Sequence, residues 1–316
     1  MSAVIKEVAA NSVKVKPISA HIGAQIEGVD LSVPLRPEQV VAIRAALLKW
    51  RVIFFRDQPL THAQQVAFSA QFGALTLGHP VFGHVPGHPE VYSIDKFRQA
   101  TRFSGQGVQR PWTGWHTDVT AAVNPPFASI LRGVTIPPYG GDTQWTNLVA
   151  AYEALSAPLR AFVDGLRGVH RFAPPAGVHA SHDYKQAVEQ RILVTEHPLV
   201  RVHPETGERA LYVSPSFLKH IVGLTPRESQ AVLELLWEHV TQPRFTVRFK
   251  WEAGSLAFWD NRSTAHLAPT DIFDLDFDRQ LYRTTLVGDI PVGPDGRPSE
   301  ALEGSPVNAA AALALN

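Results

Sequence analysis

The 316-residue sequence contains no cysteine. Disulfide scaffolds, zinc fingers, thiolate-bound clusters and cysteine nucleophiles are therefore excluded. Any metal has to rest on nitrogen and oxygen donors, and 14 histidines supply candidates. An excess of one charge is also missing. Lys+Arg and Asp+Glu both number 29, so the basic surplus that draws proteins to nucleic acid is absent. No uncharged apolar run approaches the ~20 residues that span a bilayer. The opening stretch MSAVIKEVAANSVKVKP lacks the apolar centre of a secretion signal. Neither nucleic acid nor membrane is expected as a partner, and the expected location is the cytoplasm. Neither glycine-rich nucleotide fingerprint stands at a strand-to-helix junction, so nucleotide folds gain no support.

What is present reads as a globular chain, with 45% hydrophobic and 18% charged residues. The length suits one large domain, and no repeat or linker divides it. The expectation is a single domain over 1–316, with 1–13 and the Ala-rich 300–316 as flexible tails. Residues 14–33 alternate in the manner of short strands and a hairpin. Arg36–Trp50 places Val40, Ile43, Ala46 and Leu47 on one helical face, with Pro37 in the first turn. RVIFFRDQPL reads as a buried strand. Thr61 suits the cap of a helix that Gly73 ends. Residues 74–114, rich in Gly, Pro and His, read as long loops around a site. Short strands follow at FASILRGV, DTQWTNL, LVRVHP, RALYVS, RFTVRFKW, SLAFWD and LYRTTLVGD, with helices near 147–166 and 225–240. Many short strands with Gly/Pro turns predict a sandwich or barrel.

Two segments carry candidate chemistry. In Trp115-His116-Thr117-Asp118, residues two apart on an extended chain face the same side, so His116 and Asp118 can share one ion. In FWDNRSTAH, His266 follows a strand and a turn. Two histidines and a carboxylate on one face leave the opposite positions open, which suits non-haem Fe(II). Two further His-x-Glu triplets, at His88 and His203, sit in Pro-containing turns and read as surface loops. Arg279 and Arg283, four apart on one strand, face the same side. Guanidinium groups beside an open metal invite anionic ligands, carboxylate or sulfonate; the bland alternative is a pair of ordinary salt bridges at a strand edge.

Taken in order, WHTDVT, PPYGGDTQWTN, FWDNRSTAH and RQLYRTTLVGD resemble the TauD/TfdA family of Fe(II)/2-oxoglutarate-dependent dioxygenases, closest to its taurine, alkylsulfonate and alkylsulfate branch. The resemblance runs from HIGAQIEGVDLS to LVGD. It implies a mainly β fold with flanking helices, the double-stranded β-helix or cupin-like jelly roll. It implies His116, Asp118 and His266 as iron ligands. It implies Thr143 and Arg279 as the holders of the distal 2-oxoglutarate carboxylate. Arg283 and His79 match substrate-pocket positions, with Arg283 on the sulfonate. Phe217 keeps a family aromatic, with core packing as its equally good reading. Fe(II) with 2-oxoglutarate and O2 as cosubstrates, and a homo-oligomer (dimer or tetramer), are implied likewise.

The sequence departs from the taurine pattern at three places. Phe82 stands for a Tyr, Trp112 for an Asn, and Ala176 for an aromatic. A site that loses a hydrogen-bond donor binds a small zwitterion poorly. These changes imply a reshaped, more apolar pocket and speak against taurine. The expected reaction is hydroxylation of a small anionic organic substrate, an organosulfonate or alkyl sulfate. Sulfite or sulfate plus an aldehyde, succinate and CO2 are the products. A non-sulfur carboxylate such as an aryloxyalkanoate is the alternative substrate. A zinc hydrolase on the same three ligands is a rival, but it has no need of the Thr143/Arg279 clamp. A silent jelly-roll binding protein would not need intact ligands and both arginines.

Overall fold

The computed structural model describes residues 13–96, 102–104, 108–174, 177–268 and 270–310. The fold is mainly β, with helices packed outside. Its largest sheet has seven strands in the order Lys14–Pro17, Ala24–Glu27, Val52–Phe55, Leu256–Asp260, Ala128–Thr135, Gln280–Leu286 and Tyr92–Asp95. All neighbours are antiparallel except Ala24–Glu27 against Val52–Phe55.

Strand alternation sorts the side chains onto two faces. Ile53, Phe55, Ile130, Leu256 and Phe258 point outward, where Ile43, Ala46, Leu47 and Phe68 of helices Pro37–Trp50 and His62–Ala70 cover them. Thr61 and Gln64 cap the second helix reciprocally, at 3.2 and 2.9 Å. Val52, Phe54, Leu131, Ala257, Trp259 and Leu281 point inward. There they meet Trp145, Val247 and Phe249 of a three-stranded sheet made by Thr246–Phe249, Thr143–Asn147 and Thr264–Leu267. Ser129 and Arg283 share the inward parity, which carries polar groups into one end of this interior. A separate core lies under helices Leu148–Glu153 and Pro226–Val240, with Trp112, Trp115 and Trp237 in it.

Several expectations need correction. The helix expected over 147–166 is two helices, Leu148–Glu153 and Ala157–Asp164, because Asn147 and Ser156 each cap a new start. The stretch 74–114 is not all loop, since Tyr92–Asp95 pairs with Gln280–Arg283 at the sheet edge. The tail expected from residue 300 is structured as far as 310. Glu300–Glu303 pairs with Val194–Glu196, Asn124 holds both backbone groups of Val307 at 2.9 and 2.8 Å, and Ala310 N–H donates to Leu75. Residues 1–12 and 311–316 lie outside the described residues. The helix His182–Gln190, unanticipated, buries only Tyr184. Among the described residues no helix is long and apolar enough to cross a membrane.

Candidate metal centre and active site

His116 and His266 come from segments far apart in sequence that pair directly. His116 N–H donates to the His266 carbonyl at 2.9 Å, and His266 N–H returns a bond at 2.7 Å. This bridge places the two rings 4.2 Å apart. Each Nε2 lies 3.9 Å from Asp118 Oδ1, and the three candidate ligand atoms all fall within 4.8 Å of one another. His116 Nδ1 lies 2.9 Å from the Gly114 carbonyl. A carbonyl only accepts, so Nδ1 carries the proton and the Nε2 lone pair faces the cluster. Burial pushes His266 well below its ordinary value, with help from His116 and Arg283. Burial likewise lowers His116, against the opposing pull of Asp118. Both rings are neutral near pH 7, the form that binds metal.

Asp118 sits in a strained turn. The next residue, the β-branched Val119, has φ +51°, a left-handed conformation that such side chains rarely adopt. Burial disfavours the Asp118 carboxylate, but Arg283, His266, His116 and the Ser129 hydroxyl together outweigh it and hold its pKa far below the ordinary value. Arg283 Nη1 bonds Oδ1 directly. The donor set and its convergence fit one divalent ion with part of its coordination sphere open.

Thr143 and Arg279 are both buried, and Arg279 packs on the backbone two residues before Thr143. Arg279 Nε donates to the Gly141 carbonyl at 2.8 Å. Among the described residues no carboxylate forms an ion pair with it, and burial brings its pKa down to about 10. Thr143 Oγ1 accepts from Trp251 Nε1 at 2.9 Å, so its own proton is left to donate. A buried guanidinium and a hydroxyl donor fit a carboxylate.

Phe217, His79, Phe82 and Arg283 join the metal cluster through aromatic contacts. From the His116 ring the path runs to Phe217 (6.3 Å), Phe172 (5.0 Å), His79 (6.1 Å) and Tyr92 (4.9 Å). Tyr92 faces the Arg283 guanidinium at 5.3 Å, and Arg283 returns to Asp118. Phe82 packs on His79, Phe172 and Tyr184. Arg102 lies 3.9 Å over the Phe82 ring and donates to the Tyr92 hydroxyl at 3.2 Å. Trp112 is placed differently, with its ring on Trp237 (5.8 Å) in the helix-side core and not on this wall. Ala176 lies outside the described residues.

Three further histidines, His170, His197 and His203, lie away from the ligand cluster. All are fully buried. His203 overturns its surface-loop reading, because its Nε2 lies 3.0 Å from Asp260 Oδ2 and Asp260 also pairs with Arg262. Partnering lets charged groups lie in the interior despite a Pro-containing turn. His197 Nε2 meets the Thr120 carbonyl at 2.8 Å, two residues beyond Asp118. Sequence reasoning missed Ser129, Asn261, Tyr92 and Arg102. Asn261 lay within FWDNRSTAH, and Ser129 could have been found from strand parity in FASILRGV.

The family model for "Taurine catabolism dioxygenase TauD, TfdA family" matches residues 14–285. The chain belongs to the TauD/TfdA dioxygenase family. As a member it is an Fe(II)-dependent oxidoreductase that uses 2-oxoglutarate and O2 as cosubstrates. It is 42% identical over 290 residues to an alpha-ketoglutarate-dependent sulfate ester dioxygenase of Pseudomonas putida, covering 90% of this chain and 92% of that one. It is 36% identical to an alkylsulfatase of Acinetobacter baylyi, covering 90% and 87%. The crystal structure of a taurine dioxygenase from Burkholderia xenovorans superposes with a TM-score of 0.83 at 75% identity, covering 96% of this chain and all of that one.

Proposed function

We propose that this dioxygenase oxidises small organosulfur anions, foremost alkyl sulfate esters, within a single domain built as a double-stranded β-helix. The two facing sheets around one interior support that fold reading. The observation that carries the substrate reading is the position of Arg283, a buried cation at the junction of Asp118 and a wall of rings. The likeness to the sulfate ester enzyme of Pseudomonas putida points the same way. The groups named along that wall are rings and the Arg283 guanidinium, with Asp118 as their carboxylate. A monoanion with an apolar tail suits that wall.

In this reading His116, Asp118 and His266 hold the iron. The bound metal and 2-oxoglutarate supply oxygen activation, with succinate and CO2 as coproducts. Arg279 and Thr143 would hold the far carboxylate of 2-oxoglutarate. Arg283 takes the sulfate group, assisted by His79, and so chooses which C–H faces the oxidant. Phe82, Phe172 and Phe217 exclude water and grip the alkyl chain. Hydroxylation of the carbon that bears the ester oxygen yields a hemiacetal-like adduct. It breaks at the C–O bond to give an aldehyde and free sulfate.

The test is to load the protein anaerobically with Fe(II) and 2-oxoglutarate, add air, and follow succinate and sulfate. The panel comprises alkyl sulfates, alkylsulfonates, taurine and aryloxyalkanoates. Stoichiometric succinate and sulfate with alkyl sulfates is expected. Stimulation by aryloxyalkanoates alone would overturn the substrate reading.

A further inference from the structure

The two oxygens of Asp118 are not equivalent. Oδ1 faces both histidine Nε2 atoms, and Oδ2 accepts a hydrogen bond from Ser129 Oγ at 2.6 Å. Ser129 Oγ in turn accepts from Asn261 Nδ2 at 2.9 Å, and Asn261 Oδ1 accepts from Trp259 Nε1 at 2.8 Å. Trp259, Asn261, Ser129 and Asp118 are all at most 2% exposed, so solvent does not compete. Asn261 is also anchored through its backbone N–H, which donates to Phe127 at 2.8 Å.

The direction of this relay is fixed from its far end. An indole N–H can only donate, so Asn261 must turn its carbonyl oxygen to Trp259 and its NH2 to Ser129. Because the amide donates into Oγ, the single hydroxyl proton of Ser129 is committed to Asp118 Oδ2. The Trp259 ring also stands 4.9 Å from the His266 ring, so the indole that anchors the relay packs beside a second candidate ligand.

We infer that Trp259, Asn261 and Ser129 are positioning residues that confine Asp118 to one-oxygen coordination. The inference rests on the metal-centre reading above. A six-coordinate ion held by one atom from each of His116, Asp118 and His266 would keep three positions open for a chelating 2-oxo acid and O2. A second oxygen from Asp118 would take the last of these. Outer hydrogen bonds to a ligating carboxylate commonly change metal affinity or activity by 10–100-fold.

Two near-isosteric variants test this. Ser129→Ala frees Oδ2. Asn261→Asp replaces the donor by an acceptor and turns the Ser129 proton away from Asp118. The readouts are anaerobic Co(II) titration, followed by the visible d–d bands, and calorimetric binding of 2-oxoglutarate to the Co(II) protein. Thermal unfolding of the metal-free proteins checks folding. Expected are an altered band shape in both variants, a Co(II) affinity changed by roughly tenfold or more, and a larger loss for Asn261→Asp. Folded variants with wild-type bands and wild-type Co(II) and 2-oxoglutarate affinities would overturn the inference, as would lowered thermal stability with unchanged bands. Wild-type protein that binds no Co(II) would overturn the metal-centre reading and this inference together.

Discussion

The two sides of the candidate site are held by different forces. On the metal side, bonds are directional: the His116–His266 backbone pair, the Ser129 bond to Asp118, Arg279 on Gly141, and Trp251 on Thr143. On the other side, Phe82, Phe172, Phe217, His79 and Tyr184 meet mostly ring to ring. A hydrogen bond is lost by a displacement of an ångström or a wrong partner, whereas ring packing tolerates substitution at modest cost. The first side can therefore keep one chemistry while the second drifts among substrates. The relatives' names, a sulfate ester dioxygenase, an alkylsulfatase and a taurine dioxygenase, vary in the way this division suggests.

The largest effects should come from breaking the directional side. His266→Ala removes a donor from a three-residue set, and succinate formation should fall below detection; retained turnover would remove His266 from the ligands. Asp260→Ala should cost about 3–5 kcal/mol in denaturant unfolding, because Arg262 and His203 would lose a buried partner. A loss under 1 kcal/mol would show that these groups rehydrate. Arg279→Ala should weaken 2-oxoglutarate binding by roughly 30-fold or more, as expected for truncating a buried charge contact. Substrate affinity should change far less, and Arg283→Ala should show the reverse pattern.

A pH titration sharpens the same contrast without mutation. Burial takes His197 down to about 3 from an ordinary 6.5, and His170 is also held well below 6.5. The unfolded chain therefore binds protons that the folded one refuses. Stability is full above pH 6.5 and falls as pH drops from there toward 3, by up to about 1.4 kcal/mol per unit for each such histidine. His197→Gln should flatten that slope in unfolding curves measured between pH 7 and pH 4.

The metal side was legible in the sequence because its residues cluster in short segments. His116 and Asp118 are two apart, and Arg279 and Arg283 fall in one short segment. The shared strand face expected for the two arginines is not kept, because Arg279 precedes strand Gln280–Leu286 and the register shifts after Gln280. The relay behind Asp118 was not legible, since parity alone marks Ser129 as inward but only the pairing of Ala128–Thr135 with Leu256–Asp260 brings Asn261, just past the strand end, to it. His203 hid in a Pro-containing turn because the partner that permits its burial, Asp260, lies 57 residues away. Strand Glu300–Glu303 carries no signal, as all four side chains are exposed and only its backbone is engaged. Trp112 was placed by likeness to an aligned position, yet its own neighbours draw it into the helix-side core.

The smallest expected effect gives the most direct test of the division itself. Phe82→Tyr restores a hydroxyl on the ring side, where no directional bond to the metal cluster depends on it. Co(II) affinity, 2-oxoglutarate affinity and the ranking of an alkyl sulfate, alkylsulfonate and taurine panel should be measured on one preparation of this variant and of wild type. Both affinities should stay within twofold, while the ranking shifts toward taurine by about 1–3 kcal/mol in relative kcat/KM. A loss of metal or cosubstrate affinity as large as the change in ranking would contradict the account.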